Sequence, residues 1–226
     1  MNPSFSGANP IIVFPVVLIG WIFSLCLHEF SHAIVAYRGG DHSVREKGYL
    51  SFNPLRYIDP QMSILMPLLF LLLGGLGLPG GAVLINQARL RSPLWQSAVS
   101  LAGPVSNVAL ALLLSVLLRT VPQLSDGSWG AALSFLTVLQ VSAVILNLLP
   151  APGLDGFGII SPWLPADVRA QARSVGGAAI MMLFVAMWVV PGANAFFWGV
   201  VRSVTDVLGI DRDLYFAGLR AFQFWR

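Results

Sequence analysis

The residues best suited to chemistry are two histidines and a glutamate in an apolar segment, 25–33, where they form an HExxH motif. Residues four apart lie on one face of a helix, so His28 and His32 can offer two imidazoles to one metal ion while Glu29 lies beside them. This arrangement is typical of zinc hydrolases. A catalytic zinc ion takes three protein ligands and keeps one position open for water, so the pattern predicts a third ligand elsewhere in the chain.

The composition indicates what surrounds these polar groups. The chain has 226 residues, of which 56% are hydrophobic and 10% are charged, and its mean hydropathy is +0.77. Soluble domains carry about 25% charged residues, so we expect an integral membrane protein. Polar stretches are too short for a second core, which predicts a single domain over 1–226, with a core at 11–163 and C-terminal helices at 175–226. Ionisable groups in a membrane-spanning helix are costly unless they bind metal, pair or face a wet cavity, which favours a functional site.

The single cysteine and the net charge exclude other classes of protein. Cys26 has no second thiol, so a disulfide within the chain and a cysteine-based zinc site are excluded, and we interpret Cys26 as a packing residue. The net charge of +3 comes from basic residues scattered through loops. This distribution favours orientation in a membrane over binding to nucleic acid, and we expect no nucleic-acid partner.

The apolar runs predict an all-α polytopic membrane protein with four to five transmembrane helices. The runs cover residues 11–36, 97–118, 131–149 and 175–190, and the tail from 194 is either a fifth span or an interfacial helix. The run 62–78 is short and has basic residues on both flanks, which favours a membrane re-entrant hairpin over a full span. Residues 49–54 alternate between apolar and polar types, which predicts a short β-strand near the site.

The basic loops indicate how the helices are oriented. Loop 38–61 carries four basic residues, and short basic loops stay in the cytoplasm, so the HExxH motif lies toward that face. The run 131–149 returns to the same face and is followed by two prolines and Asp155. Between residues 62 and 165 the only other acidic residue is Asp126, which falls on the opposite side. Asp155 is therefore the predicted third ligand.

Together these motifs resemble those of the site-2 protease family of intramembrane zinc metalloproteases. The residues that carry the resemblance are the HExxH motif, the segment SFNPLRYIDP at 51–60, the helix start AGPxxN at 102–107 and the segment NLLPxPxLDG at 147–156. The resemblance implies hydrolysis of peptide bonds within the bilayer. It implies that His28, His32 and Asp155 hold one zinc ion. It also implies that Glu29 is the general base.

The resemblance further implies a substrate and a location. The substrate is a transmembrane protein, and Asn147 is implied to contribute to binding it. A substrate helix hides its carbonyl groups in its own hydrogen bonds, so we expect it to unwind and lie as a strand beside 49–53 or 80–86. The expected location is a prokaryotic inner (cell) membrane, multi-pass, with the active site toward the cytoplasm.

The chain departs from the family pattern at two places, neither of which touches the proposed ligands. Many members of the family have a histidine at the position of Tyr57, and a more polar run where this chain has residues 80–86. The alternative is a non-catalytic protein, either a helix-binding pseudoprotease or a membrane metal transporter. A pseudoprotease would not need Glu29, and a transporter would line both halves of the membrane with polar groups.

Overall fold

The computed structural model describes residues 7–53 and 83–225. Within these residues there are eight α-helices: α1 Pro10–Gly39, α2 Ser43–Glu46, α3 Pro93–Thr120, α4 Gly127–Asn147, α5 Asp155–Ile160, α6 Ala166–Val189, α7 Pro191–Val207 and α8 Arg212–Phe222. Four of them, α1, α3, α4 and α6, are long and apolar enough to cross a membrane. The prediction of an all-helical, multi-pass protein is confirmed at this level.

The helix that carries the HExxH motif is bounded by clear local signals. The side chain of Asn9 accepts a hydrogen bond from the backbone N–H of Ile11 and so caps the first turn of α1. The helix ends at Gly39, and Gly40 follows it with a φ of 117°. An L side chain at Gly40 would be strained, and its Cβ would also lie 2.8 Å from the carbonyl oxygen of Arg89. The glycine pair therefore both stops the helix and allows a close approach of the segment before α3.

Helices α1, α3, α4 and α8 pack around an apolar core at one end of the bundle. Its buried members include Val13, Val17, Trp21, Leu110, Leu114, Phe135, Leu136 and Phe222. A second buried cluster includes Leu25, Ala33, Ala36, Val44, Leu90 and Val99. The HExxH turn lies on α1 between Leu25 and Ala33, so its polar side chains are surrounded by packed apolar groups.

The strand expected at residues 49–54 is wrong for the part that the structure describes. Residues 50–52 form bends, residues 49 and 53 have no regular structure, and the backbone N–H of Tyr49 donates to the carbonyl of Val44 at 2.9 Å. The ring of Phe52 stacks on those of Phe23 and Phe30, with centroids 6.0 and 4.8 Å apart. Packing of this aromatic side chain against α1 replaces the strand that the alternating pattern predicted. Position 57 and the hairpin expected at 62–78 lie outside the described residues.

The C-terminal helices differ in their bounds from the expectation. Helix α6 begins at Ala166, nine residues before the run predicted at 175–190, because residues 166–173 are mostly good helix formers despite their polarity. The tail forms two helices. Helix α7 has 17 residues and is not one of the four candidate spans. Helix α8 packs against α4 and α1.

Candidate metal centre

Three predicted ligands meet in the interior of the bundle. His28 and His32 lie one turn apart on α1, and their Nε2 atoms are 3.0 Å apart. Asp155 is the first residue of α5, and its Oδ2 and Oδ1 atoms lie 3.2 Å and 3.3 Å from Nε2 of His28 and His32, respectively. All three ligand atoms lie within 4.8 Å of one another. The fold therefore brings together residues that are more than 120 positions apart.

The outer nitrogen of each histidine has its own partner. Nδ1 of His28 lies 2.5 Å from Oδ1 of Asn107, and Nδ1 of His32 lies 2.6 Å from the carbonyl oxygen of Val99. Both partners are acceptors, so each Nδ1 carries a proton and donates it. Each Nε2 faces the other and the carboxylate of Asp155. Two imidazole nitrogens and a carboxylate that converge in this way are suited to binding a metal cation.

A buried hydrogen-bond chain fixes the direction in which Asn107 points. Its Nδ2 group donates to Oε1 of Gln140 on α4 at 2.7 Å. Asn107 and Gln140 are 4% and 1% exposed, so neither amide can exchange its partner for bulk water. Since the Nδ2 group is used by Gln140, the carbonyl end of Asn107 must face His28. The partners of Asn107 therefore include a candidate metal ligand as well as a residue of a neighbouring helix.

One wall of the cluster is a glycine. A Cβ built on Gly103 of α3 would lie 2.5 Å from both Nε2 and Cε1 of His28 and would also clash with Nε2 of His32. A side chain here would fill the space beside both imidazole nitrogens. The small residues at the start of the helix were expected to permit close approach, and Gly103 does so at the candidate centre itself.

The donor set fits a zinc ion. It supplies two neutral imidazole nitrogens and one carboxylate, which are ligands that zinc prefers, and three protein ligands leave a position for water. Oδ2 of Asp155 is buried and has no hydrogen-bond partner among the described residues. Such an orphaned buried oxygen is expensive unless a cation or water completes it. Cys26 is buried at 3% exposure and is not a member of the cluster formed by the described residues.

Glu29 lies beside the cluster without joining it. It is 4% exposed, and its Oε2 accepts a hydrogen bond from the backbone N–H of Val83 at 3.2 Å. The segment 83–86 that supplies this N–H is itself held by two other side chains. Nζ of Lys47 donates to the carbonyl of Leu84 at 2.7 Å, and the N–H of Asn86 donates to Oδ2 of Asp41, also at 2.7 Å.

Asn147 precedes the candidate ligand Asp155 by eight residues, but it does not donate to or accept from the two histidines. It is the last residue of α4 and is buried at 5% exposure. The loop that follows it packs closely against α5. A Cβ added to Gly156 of α5 would clash with the backbone of Leu148 and Leu149. The hydrogen bonds that orient the two histidines come from Asn107 and Val99 instead. These contacts were missed from the sequence, although Asn107 stands four residues after Gly103 and thus on the same helix face.

Four membrane-length helices and a buried His–His–Asp cluster with an adjacent glutamate fit the class of membrane metallohydrolases. The chain is 41% identical over 216 residues to "Putative zinc metalloprotease Rip2" of Mycolicibacterium smegmatis, covering 94% of this chain and 82% of that protein. It is 42% identical over 213 residues to the protein of the same name from Mycobacterium tuberculosis, with the same coverage. It is 34% identical over 211 residues to "Putative zinc metalloprotease YwhC" of Bacillus subtilis, covering 87% and 90%. The chain belongs to the site-2 protease family of zinc metalloproteases. No family model matches the sequence, and no solved structure matches it significantly.

The buried amide chain leads to a prediction about metal affinity. Replacing Asn107 with Leu removes the acceptor for Nδ1–H of His28, so the imidazole loses its fixed tautomer and orientation. Zinc affinity should fall by about 10- to 100-fold, the usual effect of losing such a partner. Competition with a chromogenic chelator measures it. Asn107→Asp keeps an acceptor and should retain most of the affinity, whereas equal affinity in the leucine variant would contradict the assignment.

The anchor of segment 83–86 leads to a prediction about pH. Burial raises the pKa of Asp41, but hydrogen bonds from Ser43 and Asn86 and the charge of Lys47 outweigh it, so the pKa lies below its ordinary value. A depressed carboxyl pKa stabilises the fold above the unfolded-state value of about 3.9, and this stabilisation is lost as the pH falls toward the folded-state pKa. Asp41→Asn should therefore lower the free energy of unfolding at pH 7 by about 1–3 kcal/mol, and the melting temperature should fall with it.

The test is thermal unfolding in detergent, followed by tryptophan fluorescence between pH 3 and 8. The difference between the wild type and Asp41→Asn should shrink as the pH falls below about 4. Asp167→Asn, at an exposed position on α6, serves as the control. A difference that is the same at every pH would show that the charge of Asp41 is not what stabilises this segment.

Proposed function

We propose that this protein is an intramembrane zinc metalloprotease that hydrolyses peptide bonds within or near transmembrane segments of other membrane proteins. The observation that carries the proposal is the buried cluster of His28, His32 and Asp155, with the carboxylate of Glu29 beside it. Relatives named as zinc metalloproteases over most of the chain support the same class of reaction.

In this proposal the chain's own residues have distinct roles. His28, His32 and Asp155 hold zinc, which when bound acts as a Lewis acid and lowers the pKa of a water molecule toward neutrality. Glu29 accepts a proton from that water at its carboxylate and returns it to the leaving amine. The N–H of Val83 donates a hydrogen bond to Oε2 of Glu29 and so restricts the orientation of this carboxylate.

The substrate must present to the centre a peptide carbonyl that is free of helical hydrogen bonds. A transmembrane helix satisfies its backbone groups internally, so the substrate unwinds locally before attack. Residues 83–86 are the described part of segment 80–86, and they form no regular structure. The backbone N–H of Asn86 donates to the side chain of Asp41 and so fixes one side of this segment. We propose that the extended substrate lies beside this segment and that Asn147 contributes to holding it.

The test is cleavage of a membrane-spanning substrate in liposomes that contain purified protein. Cleavage should stop with a zinc chelator and return when zinc is added in slight excess, and mass spectrometry should place the cut within or next to the apolar span. Binding of many spans without any cut would favour the non-catalytic pseudoprotease. Zinc flux into the liposomes without a cut would favour a transporter.

We also propose that the centre faces the cytoplasm of a prokaryotic cell, in its inner membrane. The HExxH helix leaves the bundle at Gly39, seven residues and so about 10 Å of helix beyond His32, and basic residues follow it. Single cysteines at positions 45, 91 and 167, in a Cys26→Ser background, should react only with reagents that reach the cytoplasm. A cysteine at position 126 should react from outside. External labelling at position 91 would overturn this orientation.

A further inference from the structure

A second feature of the molecule lies next to the candidate metal centre. A cavity of about 330 Å³ opens between α3, α5 and the first turns of α6. Its polar lining consists of Gln87, Ser100, Asp155, Ser161, Arg169 and Arg173. Leu154, Phe157, Ala172 and three glycines complete the wall. At one of these glycines, Gly176, an added Cβ would meet nothing closer than 3.7 Å. The volume is enough for a side chain or a short stretch of peptide.

The two arginines of this cavity lack an acidic partner. Among residues 7–53 and 83–225, the carboxylates within 4.0 Å of a basic group are those of Asp155, which faces the two histidines, and Asp206, which pairs with Arg212. Arg173 donates from Nη2 to Oε1 of Gln87 at 3.2 Å, a neutral acceptor. Nε of Arg169 is buried and has no hydrogen-bond partner among these residues.

This arrangement is costly without a ligand. A buried donor that belongs to a charged group and has no partner costs more than an ordinary unpaired group, and such cases in folded proteins call for an explanation. A carboxylate would complete it, because a guanidinium offers two parallel N–H donors that match the two carboxylate oxygens. Asp155 also lines the cavity, but its single negative charge is outweighed there by the two guanidinium groups of Arg169 and Arg173.

We propose that this cavity binds an acidic side chain of the substrate, Asp or Glu, close to the bond that is cut. The inference rests on the proposed function. The cavity shares Asp155 with the metal centre, so its occupant belongs to the same peptide that is held there. Because an extended chain advances by about 3.3 Å per residue, the acidic residue lies within a few positions of the cut. Arg169 and Arg173 thereby select membrane-spanning substrates with an acidic residue at the end of the span.

The test uses purified protein in liposomes of neutral lipid, repeated in liposomes of anionic lipid, and a set of substrates derived from one cleaved span. An Asp is placed in turn at each of five positions on either side of the cut, and each substrate is compared with its Asn counterpart. At one or two neighbouring positions Asp should raise kcat/KM by at least about tenfold, as expected for a charged hydrogen bond. Arg169→Gln and Arg173→Gln should each remove most of this preference, so that kcat/KM becomes similar for the Asp and Asn substrates at those positions.

The controls separate charge recognition from damage to the fold. Arg220→Gln, at an exposed position on α8, should keep the preference, and zinc content and melting temperature are measured for every variant. Arg169→Glu should prefer Lys over Asp at the same position, a gain that an unfolded protein cannot show.

Three results would overturn the inference. The first is a wild type that cuts the Asp and Asn substrates equally at all ten positions. The second is a preference that survives both glutamine variants. The third is an effect of the arginines that appears only with anionic lipids and equally for all substrates, which would place a lipid phosphate in the cavity. A wild type that cuts none of the spans would instead overturn the proposed function itself.

Discussion

Replacing Glu29 with Gln should abolish most peptide cleavage while leaving the zinc content unchanged. The side chain of Glu29 is buried beside the ligands, but Glu29 is not one of the three residues whose ligand atoms converge in the cluster. Glutamine has the same shape and keeps an oxygen that can accept the hydrogen bond from the N–H of Val83, so the geometry survives. It cannot take a proton from water at neutral pH. Loss of a general base costs about 10²- to 10⁴-fold in rate.

The measurement is the initial rate of cleavage of a membrane-spanning substrate, with zinc determined on the same sample by elemental analysis. Glu46→Gln is the matched control, because Glu46 is an exposed glutamate on α2. Cleavage by Glu29→Gln at the wild-type rate would show that proton transfer does not pass through this residue. Loss of zinc in the same variant would make Glu29 a ligand instead of a base.

Replacing Asp155 with Ala should weaken zinc binding by at least about 100-fold. Loss of the hydrogen-bond partner of a ligand already costs about 10- to 100-fold, and loss of one of three protein ligands costs more. The variant leaves the Nε2 atoms of His28 and His32 with no carboxylate opposite them. Zinc affinity is measured by chelator competition in detergent. Asp167→Ala, which changes an exposed aspartate at the start of α6, should bind zinc as the wild type does.

His28→Ala and His32→Ala should give losses of the same order, since each removes one donor from the same set. Stoichiometric zinc in purified Asp155→Ala, at an affinity equal to that of the wild type, would remove this residue from the site. In that case the third ligand would have to come from another part of the chain.

Much of the candidate site was predictable because it depends on the spacing of residues within one helix and on the small number of acidic residues in the chain. The spacing of His28 and His32 places them on one helix face through the geometry of the α-helix alone. Asp155 could be selected because few acidic residues occur in this apolar chain and only one of them follows a helix that returns to the right side. The cluster that these three residues form agrees with that selection. Their roles in catalysis stay predictions for the experiments above.

Other parts of the prediction depended on weaker signals. The alternation at residues 49–54 resembles a strand, but the structure places Phe52 against the rings of Phe23 and Phe30 on α1 and residues 50–52 in bends. The polar residues 166–173 fall outside the span predicted at 175–190, because that span was bounded by its apolar residues. Their intrinsic preference is helical, and they extend α6 by more than two turns.

The sequence by itself determined that this is a helical membrane protein with a metal-binding motif in its first long helix, because composition and helical spacing are local properties. Only the tertiary structure decided how that motif is held. Asn107 reaches His28 across 79 positions, Val99 reaches His32 across 67, and Val83 reaches Glu29 across 54. The rotation and crossing of packed helices bring these groups together, and those depend on the side chains of several helices at once. No periodicity within one segment encodes them, so the tautomers of the two histidines and the position of Glu29 become visible only when the bundle is assembled.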